Sequence, residues 1–123
     1  MHTMVVDDSR TMRMILSREL AALGFAVTQA ASGIEALRLM QPPHPCPGPI
    51  LVDWNMPGIT GLEFVEAVRT NPSTRSTAVL MVTTETGIGQ MVRAMEAGAN
   101  EYLMKPFTRE MIADKLHLLG VLE

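Results

Sequence analysis

The stretch ILVD at residues 50–53 consists of three apolar aliphatic residues followed at once by a carboxylate. A strand this short and wholly apolar is typical of a parallel sheet that is covered on both faces. Four other strand-like runs lie along the chain, at residues 4–6, 25–30, 78–82 and 102–104. Helix-like stretches alternate strictly with these runs, which predicts a doubly wound α/β fold with five parallel strands between two layers of helices.

Capping residues mark where the predicted helices begin. The predicted N-caps are Ser9, Ser32, Thr60 and Thr108, and Glu35 and Glu63 complete capping boxes with the second and third of them. The fourth predicted helix carries Ile88, Met91, Met95 and also Val92 on one face. We expect most of the methionines to fill the core. For Met91, Met95, Met104 and Met111, near the last two helices, an adaptable partner surface is the alternative.

The composition is that of one globular domain. The chain has 123 residues, of which 47% are apolar and 19% charged, enough to bury a core without disulfides. Its net charge is −3 and its Lys and Arg residues are scattered, which argues against nucleic-acid binding and against a basic membrane-binding patch. Five prolines within residues 41–49 predict a stiff surface loop.

The same composition favours a reducing compartment. Cys46 is the only cysteine, so no internal disulfide can form. The apolar stretch before Asp7 is too short for a signal peptide, and no run has the length of a membrane span. We therefore expect a cytoplasmic protein that does not associate with membranes.

Five polar side chains lie at or just past the ends of the predicted strands: Asp7, Asp8, Asp53, Thr83 and Lys105. Parallel strands gather their carboxyl ends at one edge of the sheet, where ligands bind. Clustered carboxylates disfavour joint ionisation unless a cation is present, and Mg²⁺ prefers oxygen ligands of this kind. Each residue alone has a simpler interpretation, such as a helix-dipole carboxylate or a surface lysine; together they predict a magnesium site.

A phosphoryl group suits this arrangement. Asp53 is the natural nucleophile, because a carboxylate that attacks phosphorus gives an acyl phosphate. Asp7 and Asp8 would hold the metal together with the backbone carbonyl of Asn55, while Lys105 and Thr83 would contact phosphoryl oxygens. Lys105 precedes Pro106, and we hypothesise a cis peptide bond there.

Four segments carry a family resemblance: VVDDS at 5–9, DWNMPG at 53–58, LMVTTE at 80–85 and YLMKPF at 102–107. In joint order and spacing the chain resembles the receiver domain of two-component response regulators, especially the single-domain regulators of chemotaxis. The resemblance implies one receiver domain over residues 1–123 with the flavodoxin-like (βα)5 fold and strand order 2-1-3-4-5. It also implies that Asp53 accepts a phosphoryl group from a histidine kinase or a histidine phosphotransfer protein.

The resemblance further implies a signalling switch. Thr83 and Tyr102 correspond to the family's switch pair, and Asn55 and Glu85 to two positions that tune the lifetime of the phosphoryl group. Output would come from a protein target bound through the last two helices and the fifth strand, by a monomer or a weak phosphorylation-dependent dimer. Because the chain ends after the fifth helix, we expect no attached output domain and no metabolic enzyme activity.

Alternatives remain at this point. The chain could be a receiver excised from a longer regulator, or an intermediate that passes phosphate onward. A flavin-binding protein of the same fold would need a phosphate loop after the first strand, where Asp7 and Asp8 would repel the phosphate. An aspartate-based phosphohydrolase would need a second acid two residues after its nucleophile, where this chain has Asn55.

Overall fold

The computed structural model describes residues 2–41 and 48–122. Five strands and five helices alternate along these residues. The strands are β1 (His2–Val6), β2 (Ala26–Ala30), β3 (Pro49–Val52), β4 (Ala78–Thr83) and β5 (Glu101–Met104). The helices are α1 (Arg10–Ala22), α2 (Gly33–Leu39), α3 (Gly61–Thr70), α4 (Ile88–Ala97) and α5 (Arg109–Leu118). Most of the predicted proline-rich loop, including Cys46, lies outside the described residues.

The strands form one parallel sheet in the order β2-β1-β3-β4-β5. This confirms the predicted fold, and each strand boundary lies within two residues of its predicted position. Alternating strand residues face two separate hydrophobic clusters, so Val6 packs with α2, α3 and α4 while the neighbouring Val5 packs with α1 and α5. The sheet is thus covered on both faces, as a three-layer α/β/α fold requires. None of the described helices has the length and apolarity to cross a membrane.

The capping predictions hold with one exception. Ser9 and Thr108 each accept a hydrogen bond from a backbone N–H in the first turn of their helices, and Thr60 and Glu63 form a complete capping box. The capping box predicted for α2 is only half formed. Ser32 accepts from the Glu35 N–H, but the Glu35 carboxylate accepts from the Ala31 N–H and not from that of Ser32. The Glu35 carboxylate thus accepts from the N–H one residue before the N-cap.

The expectation that most methionines fill the core is wrong for Met95, Met104 and Met111, whereas Met91 is partly buried against the core. Ile88 is 78% exposed, Val92 46% and Met95 41%, and Ala94 is the only fully buried residue of this helix. The physical reason is that α4 packs against α3 and against β5, the edge strand of the sheet. Little sheet remains beyond that edge to cover the rest of the helix. Met104 and Met111 are exposed as well, so the alternative of a partner surface fits these methionines better than the core.

Candidate functional site

Three carboxylates meet at the carboxyl edge of the sheet. Asp7 follows β1 and Asp53 follows β3, and these strands are neighbours in which Val6 is paired with Val52. With Asp8 they offer oxygen atoms that all lie within 4.8 Å of one another. Asp7 is 2% exposed and Asp53 9%, whereas Asp8 is open to solvent. The strand ends therefore bring together the three acids that the sequence singled out.

Backbone and side-chain bonds fix Asp7 in place. Its Oδ1 accepts from the Ser9 N–H at 2.9 Å, which joins the carboxylate to the start of α1. Its carbonyl oxygen accepts from Arg13 Nη1 at 2.7 Å. Sequence analysis missed Arg13, because nothing in its spacing indicates that a helix side chain turns back to the end of β1.

Lys105 lies between two of the acids. Its Nζ is 3.3 Å from Asp7 Oδ2 and 3.5 Å from Asp53 Oδ2, and only 13% of its side chain is exposed. Its backbone N–H donates to the Thr83 carbonyl at 2.9 Å, which places the residue at the end of β5 beside β4. The peptide bond between Lys105 and Pro106 is cis, which confirms that hypothesis.

The electrostatics of Asp53 favour a cation. Burial raises the pKa of this carboxyl above its ordinary value, and the nearby charge of Asp7 raises it further. The Lys105 ammonium and a hydrogen bond from the Asn55 N–H lower the pKa, without cancelling the effect of burial. Three acids, two of them buried, are only partly neutralised by one ammonium, and they have the oxygen donors and the charge that suit a divalent ion.

Glu85 connects the remaining predicted residues. Its N–H donates to Thr83 Oγ1 at 3.3 Å, its Oε1 accepts from Asn55 Nδ2 at 3.0 Å, and its carbonyl accepts from the Tyr102 hydroxyl at 2.6 Å. Thr83 is fully buried and Tyr102 nearly so. Burial, followed by the negative charges of Glu85 and Asp53, raises the pKa of Tyr102. The predicted switch and tuning residues therefore form one connected group beside the acids. The sequence did not predict that Glu85 is the residue to which the other three are bonded.

Trp54 joins the acidic cluster to α4. It directly follows Asp53, is largely buried, and lies with its ring centroid 5.7 Å from the guanidinium carbon of Arg93. This distance is within the range of a cation–π interaction. Arg93 is a second residue that sequence analysis missed, because a contact across nearly forty residues leaves no local pattern.

Comparison with known protein families identifies the family to which this fold and site belong. Residues 3–117 match the response regulator receiver domain family, and the chain belongs to this family. The resemblance inferred from the four motifs is thereby confirmed. The match also favours the receiver prediction over the flavin-binding and phosphohydrolase alternatives.

Several similar members of this family are chemotaxis proteins. The chain is 37% identical over 120 residues to chemotaxis protein CheY1 of Helicobacter pylori, covering 97% of this chain and 96% of the relative. It is 41% identical over 118 residues to CheY of Pseudomonas aeruginosa, covering 94% and 93%. The solved structure of chemotaxis response regulator CheY4 of Vibrio cholerae has a TM-score of 0.87 at 37% identity, covering 96% of this chain and 97% of that one.

The chain is thus a receiver domain that closely resembles single-domain CheY chemotaxis regulators. Proteins of this kind are signalling switches that interact with histidine kinases and downstream targets, and receiver domains typically bind Mg²⁺. Switching that depends on phosphorylation is consistent with this family.

Proposed function

We propose that this chain, over residues 1–123, is a response regulator of chemotaxis whose Asp53 accepts a phosphoryl group. The donor is the phosphohistidine of a histidine kinase or of a histidine phosphotransfer protein, and the site of action is the cytoplasm. The single observation that carries the proposal is the set of three carboxylates whose oxygens lie within 4.8 Å of one another, with Lys105 Nζ 3.5 Å from Asp53 Oδ2. A structural ion pair alone would not require the third acid.

The reaction is a phosphoryl transfer between two side chains. A carboxylate oxygen of Asp53 forms a bond to phosphorus while the bond from phosphorus to the histidine nitrogen breaks. The electron pair of that bond stays with the imidazole, which takes a proton from solvent, and Asp53 becomes an acyl phosphate. Lys105 and Thr83 would each contact one oxygen of the transferred group, because positioning and charge neutralisation are what this chemistry demands of a protein.

The residues at the site fit a magnesium ion. Asp7, Asp8 and Asp53 would hold it with their carboxylates, and Asn55 with its backbone carbonyl. When bound, the ion supplies the positive charge that lets an anionic phosphoryl group approach three carboxylates. One ammonium and one divalent cation would make the group of three acids neutral.

The switch would act through Thr83 and Tyr102. The Thr83 hydroxyl accepts from the Glu85 N–H, and it could donate its proton to an oxygen of a phosphoryl group on Asp53, so that turning towards that group would strain or break the bond from Glu85. The carbonyl of Glu85 holds the Tyr102 hydroxyl, so a change at Thr83 would reach Tyr102. Asn55 and Glu85 would tune the lifetime of the acyl phosphate, since their side chains bond to each other beside Asp53.

Output would use the surface formed by α4, β5 and α5. Exposed apolar side chains lie on all three elements: Ile88, Val92, Met95, Met104, Met111 and Leu118. Apolar groups at a surface suit a protein partner, and methionine adapts readily to different shapes. We expect a monomer, or a dimer that forms weakly on phosphorylation through the same surface.

Substitution of the acceptor tests the proposal. Trp54 adjoins Asp53 and is the only tryptophan, so its fluorescence reports on the site. We expect one change in fluorescence as Mg²⁺ is added and a second with acetyl phosphate, together with a mass increase of one phosphoryl group. Asp53→Asn should abolish the second change and the mass increase, because an amide is not a nucleophile towards phosphorus.

The control is the same substitution at an exposed acid of α5. Asp114→Asn should keep both fluorescence changes and the mass increase, because Asp114 is exposed on a helix away from the cluster. A phosphoryl group that still attaches to Asp53→Asn would move the acceptor elsewhere and refute the proposal. A wild-type protein that gains no phosphoryl group with Mg²⁺ and donor present would refute it too.

A further inference from the structure

The two ends of α4 are held very differently. The helix begins near the acidic cluster after Gly87, which provides no side-chain cap, and a second glycine follows at its second position. Its first residue, Ile88, is the most exposed large apolar residue among those described. The helix ends at the opposite edge of the sheet, at Gly98, where the side chain of Arg69 from α3 reaches it.

Arg69 donates to four backbone and side-chain oxygens in two segments, residues 75–77 and 98–100. Its Nε donates to the Gly98 carbonyl at 2.9 Å, and its Nη2 donates to Asn100 Oδ1 at 2.7 Å. Its Nη1 donates to the carbonyls of Arg75 at 2.8 Å and Thr77 at 2.6 Å. One guanidinium therefore joins the end of α4 to the loop that leads into β4.

The backbone around Arg69 extends this connection into the sheet. Asn100 Oδ1 also accepts from the Val79 N–H at 2.8 Å, and the Asn100 N–H donates to the Val79 carbonyl at 2.8 Å. Gly98 has φ +120, and a Cβ there would lie 2.7 Å from Arg69 Cγ. Gly98 thus leaves the space through which Arg69 passes, and burial lowers the pKa of this arginine. The end of α4 is fixed to β4 by bonds that are remote from the acids.

The start of α4 depends on bonds within the functional site. The connection from β4 to α4 is held where the Glu85 N–H donates to the Thr83 hydroxyl and the Glu85 carbonyl accepts from Tyr102. The Thr83 hydroxyl would donate to the proposed phosphoryl group, and turning towards that group would weaken its bond from the Glu85 N–H. A change at Asp53 would therefore reach the start of the helix first, whereas the bonds of Arg69 lie at its other end.

We propose that α4 pivots about its C-terminal end, where Arg69 anchors it, so that phosphorylation moves only the first half of the helix. Arg69 is then a positioning residue, which confines the movement to the part of the output surface that carries Ile88 and Val92. This inference rests on the proposed function, since the phosphoryl group on Asp53 drives the movement. The movement would change the part of the output surface around Ile88 and Val92, and Arg69 would set its limit.

Hydrogen exchange measured by mass spectrometry tests the pivot. Exchange in the wild-type protein is measured in two states, with Mg²⁺ alone and with Mg²⁺ plus beryllofluoride, a stable mimic of the phosphoryl group. Exchange in peptides over 86–92 should change severalfold between these states, while peptides over 94–100 stay protected and unchanged. In Arg69→Lys, which keeps the charge but loses most of the bonds, peptides over 94–100 should exchange about tenfold faster in both states. The change with beryllofluoride should then extend over the whole helix.

Two further variants make the test decisive. Arg75→Lys changes an exposed arginine whose side chain takes no part in these bonds, and it should match wild type. Asn100→Ala removes one acceptor of Arg69, so exchange over 94–100 should lie between that of wild type and that of Arg69→Lys. This milder variant still tests the anchor if Arg69→Lys folds poorly. Phosphorylation by acetyl phosphate should proceed within about twofold of the wild-type rate in all variants, because the bonds of Arg69 lie at the far edge of the sheet.

Three outcomes would overturn the pivot. The first is a change over 94–100 in wild type as large as that over 86–92. The second is unchanged exchange over 94–100 in Arg69→Lys and in Asn100→Ala. The third is a loss of protection in both variants that is equally large in peptides of β1 and α1, which would make Arg69 a residue of general stability. Failure of the proposed function differs from all three, because Asp53 would then gain no phosphoryl group in wild type.

Discussion

Helices α3 and α4 lie side by side on one face of the sheet, and each has ten residues. α3 begins with a complete capping box and buries four residues, among them Phe64 and Val65. α4 has no side-chain cap and buries only Ala94. Two helices of equal length in the same layer are thus held with very different strength.

The difference separates two tasks. α3 follows the loop that carries Asp53 and holds Arg69 in its last turn, so it connects the acceptor loop with the far end of its neighbour. α4 exposes apolar side chains that would stabilise the fold more if they were buried. A helix with little burial has a low local free energy of opening, which suits an element that must change position when a single charged group is added.

The largest effect is expected from one substitution made at the same position of both helices. Val65 and Val92 are each the fifth residue of their helix, and Val65 is fully buried while Val92 is exposed. Val65→Ala should lower the free energy of unfolding by about 2–3 kcal/mol, from lost burial and the cavity that remains. Val92→Ala should stay within about 0.5 kcal/mol of wild type. Urea unfolding followed by Trp54 fluorescence and circular dichroism measures both.

Equal losses of unfolding free energy in the two variants would contradict the difference between the two helices. They would mean that α4 is packed as tightly in solution as α3, and the pivot would then lack the loose first half that it needs. A loss confined to Val65→Ala would support the division of tasks between the two helices.

The acidic site was easier to predict from the sequence than the surface of α4. Asp7, Asp53 and Thr83 were predicted from their positions at strand ends, because the register of a parallel sheet fixes where strand ends lie. Backbone geometry therefore determined this part of the site. The periodicity of α4 showed which of its residues share a face, but periodicity does not state what that face packs against.

Long-range contacts of large side chains were beyond sequence reasoning. Arg69 reaches Gly98 and Asn100, which are 29 and 31 residues away, and no local spacing encodes such a pair. Glu85 was predicted as a tuning residue from the family resemblance, but not as the shared partner of Asn55, Thr83 and Tyr102. Side chains with several rotatable bonds can reach many partners, and only the packed fold selects one of them.

A second pair of variants tests how much the N-caps contribute to the stability of α3 and α4. Thr60→Ala removes the cap of α3 and should cost about 1 kcal/mol of stability. Gly87→Ser offers α4 the cap that it lacks, and it should gain only a few tenths of a kcal/mol. A Cβ at Gly87 would lie against the end of the Gln90 side chain, which is flexible enough to move aside. Thermal unfolding of both variants beside wild type measures these changes.

The outcome separates two causes of the loose start of α4. If Gly87→Ser gained as much as Thr60→Ala lost, the missing cap alone would account for the difference between the helices. The expected small gain would instead attribute the difference to burial, which a cap does not change.

The smallest effect concerns the bond that holds the start of α4. Tyr102 is the only tyrosine, so absorbance at 295 nm follows its ionisation alone. Burial and the charges of Glu85 and Asp53 raise its pKa above the ordinary value of 10.0. Since the fold then holds this proton more tightly than the unfolded chain does, stability is unaffected below pH 10 and falls as the pH rises through the pKa of the folded state.

Glu85→Gln should lower the pKa of Tyr102 without restoring its ordinary value, because the negative charge is lost while the burial remains. The matched control is Glu101→Gln, which removes a charge one residue from Tyr102 on β5, from a carboxylate that pairs with Lys115 of α5. This control should leave the pKa of Tyr102 nearly unchanged, because the Glu101 charge is paired with Lys115 at 2.9 Å and successive strand residues point to opposite faces of the sheet. An equal decrease in both variants would show that Tyr102 responds to the net charge of the protein. In that case the carboxylate of Glu85 would have no specific effect on the ionisation of Tyr102.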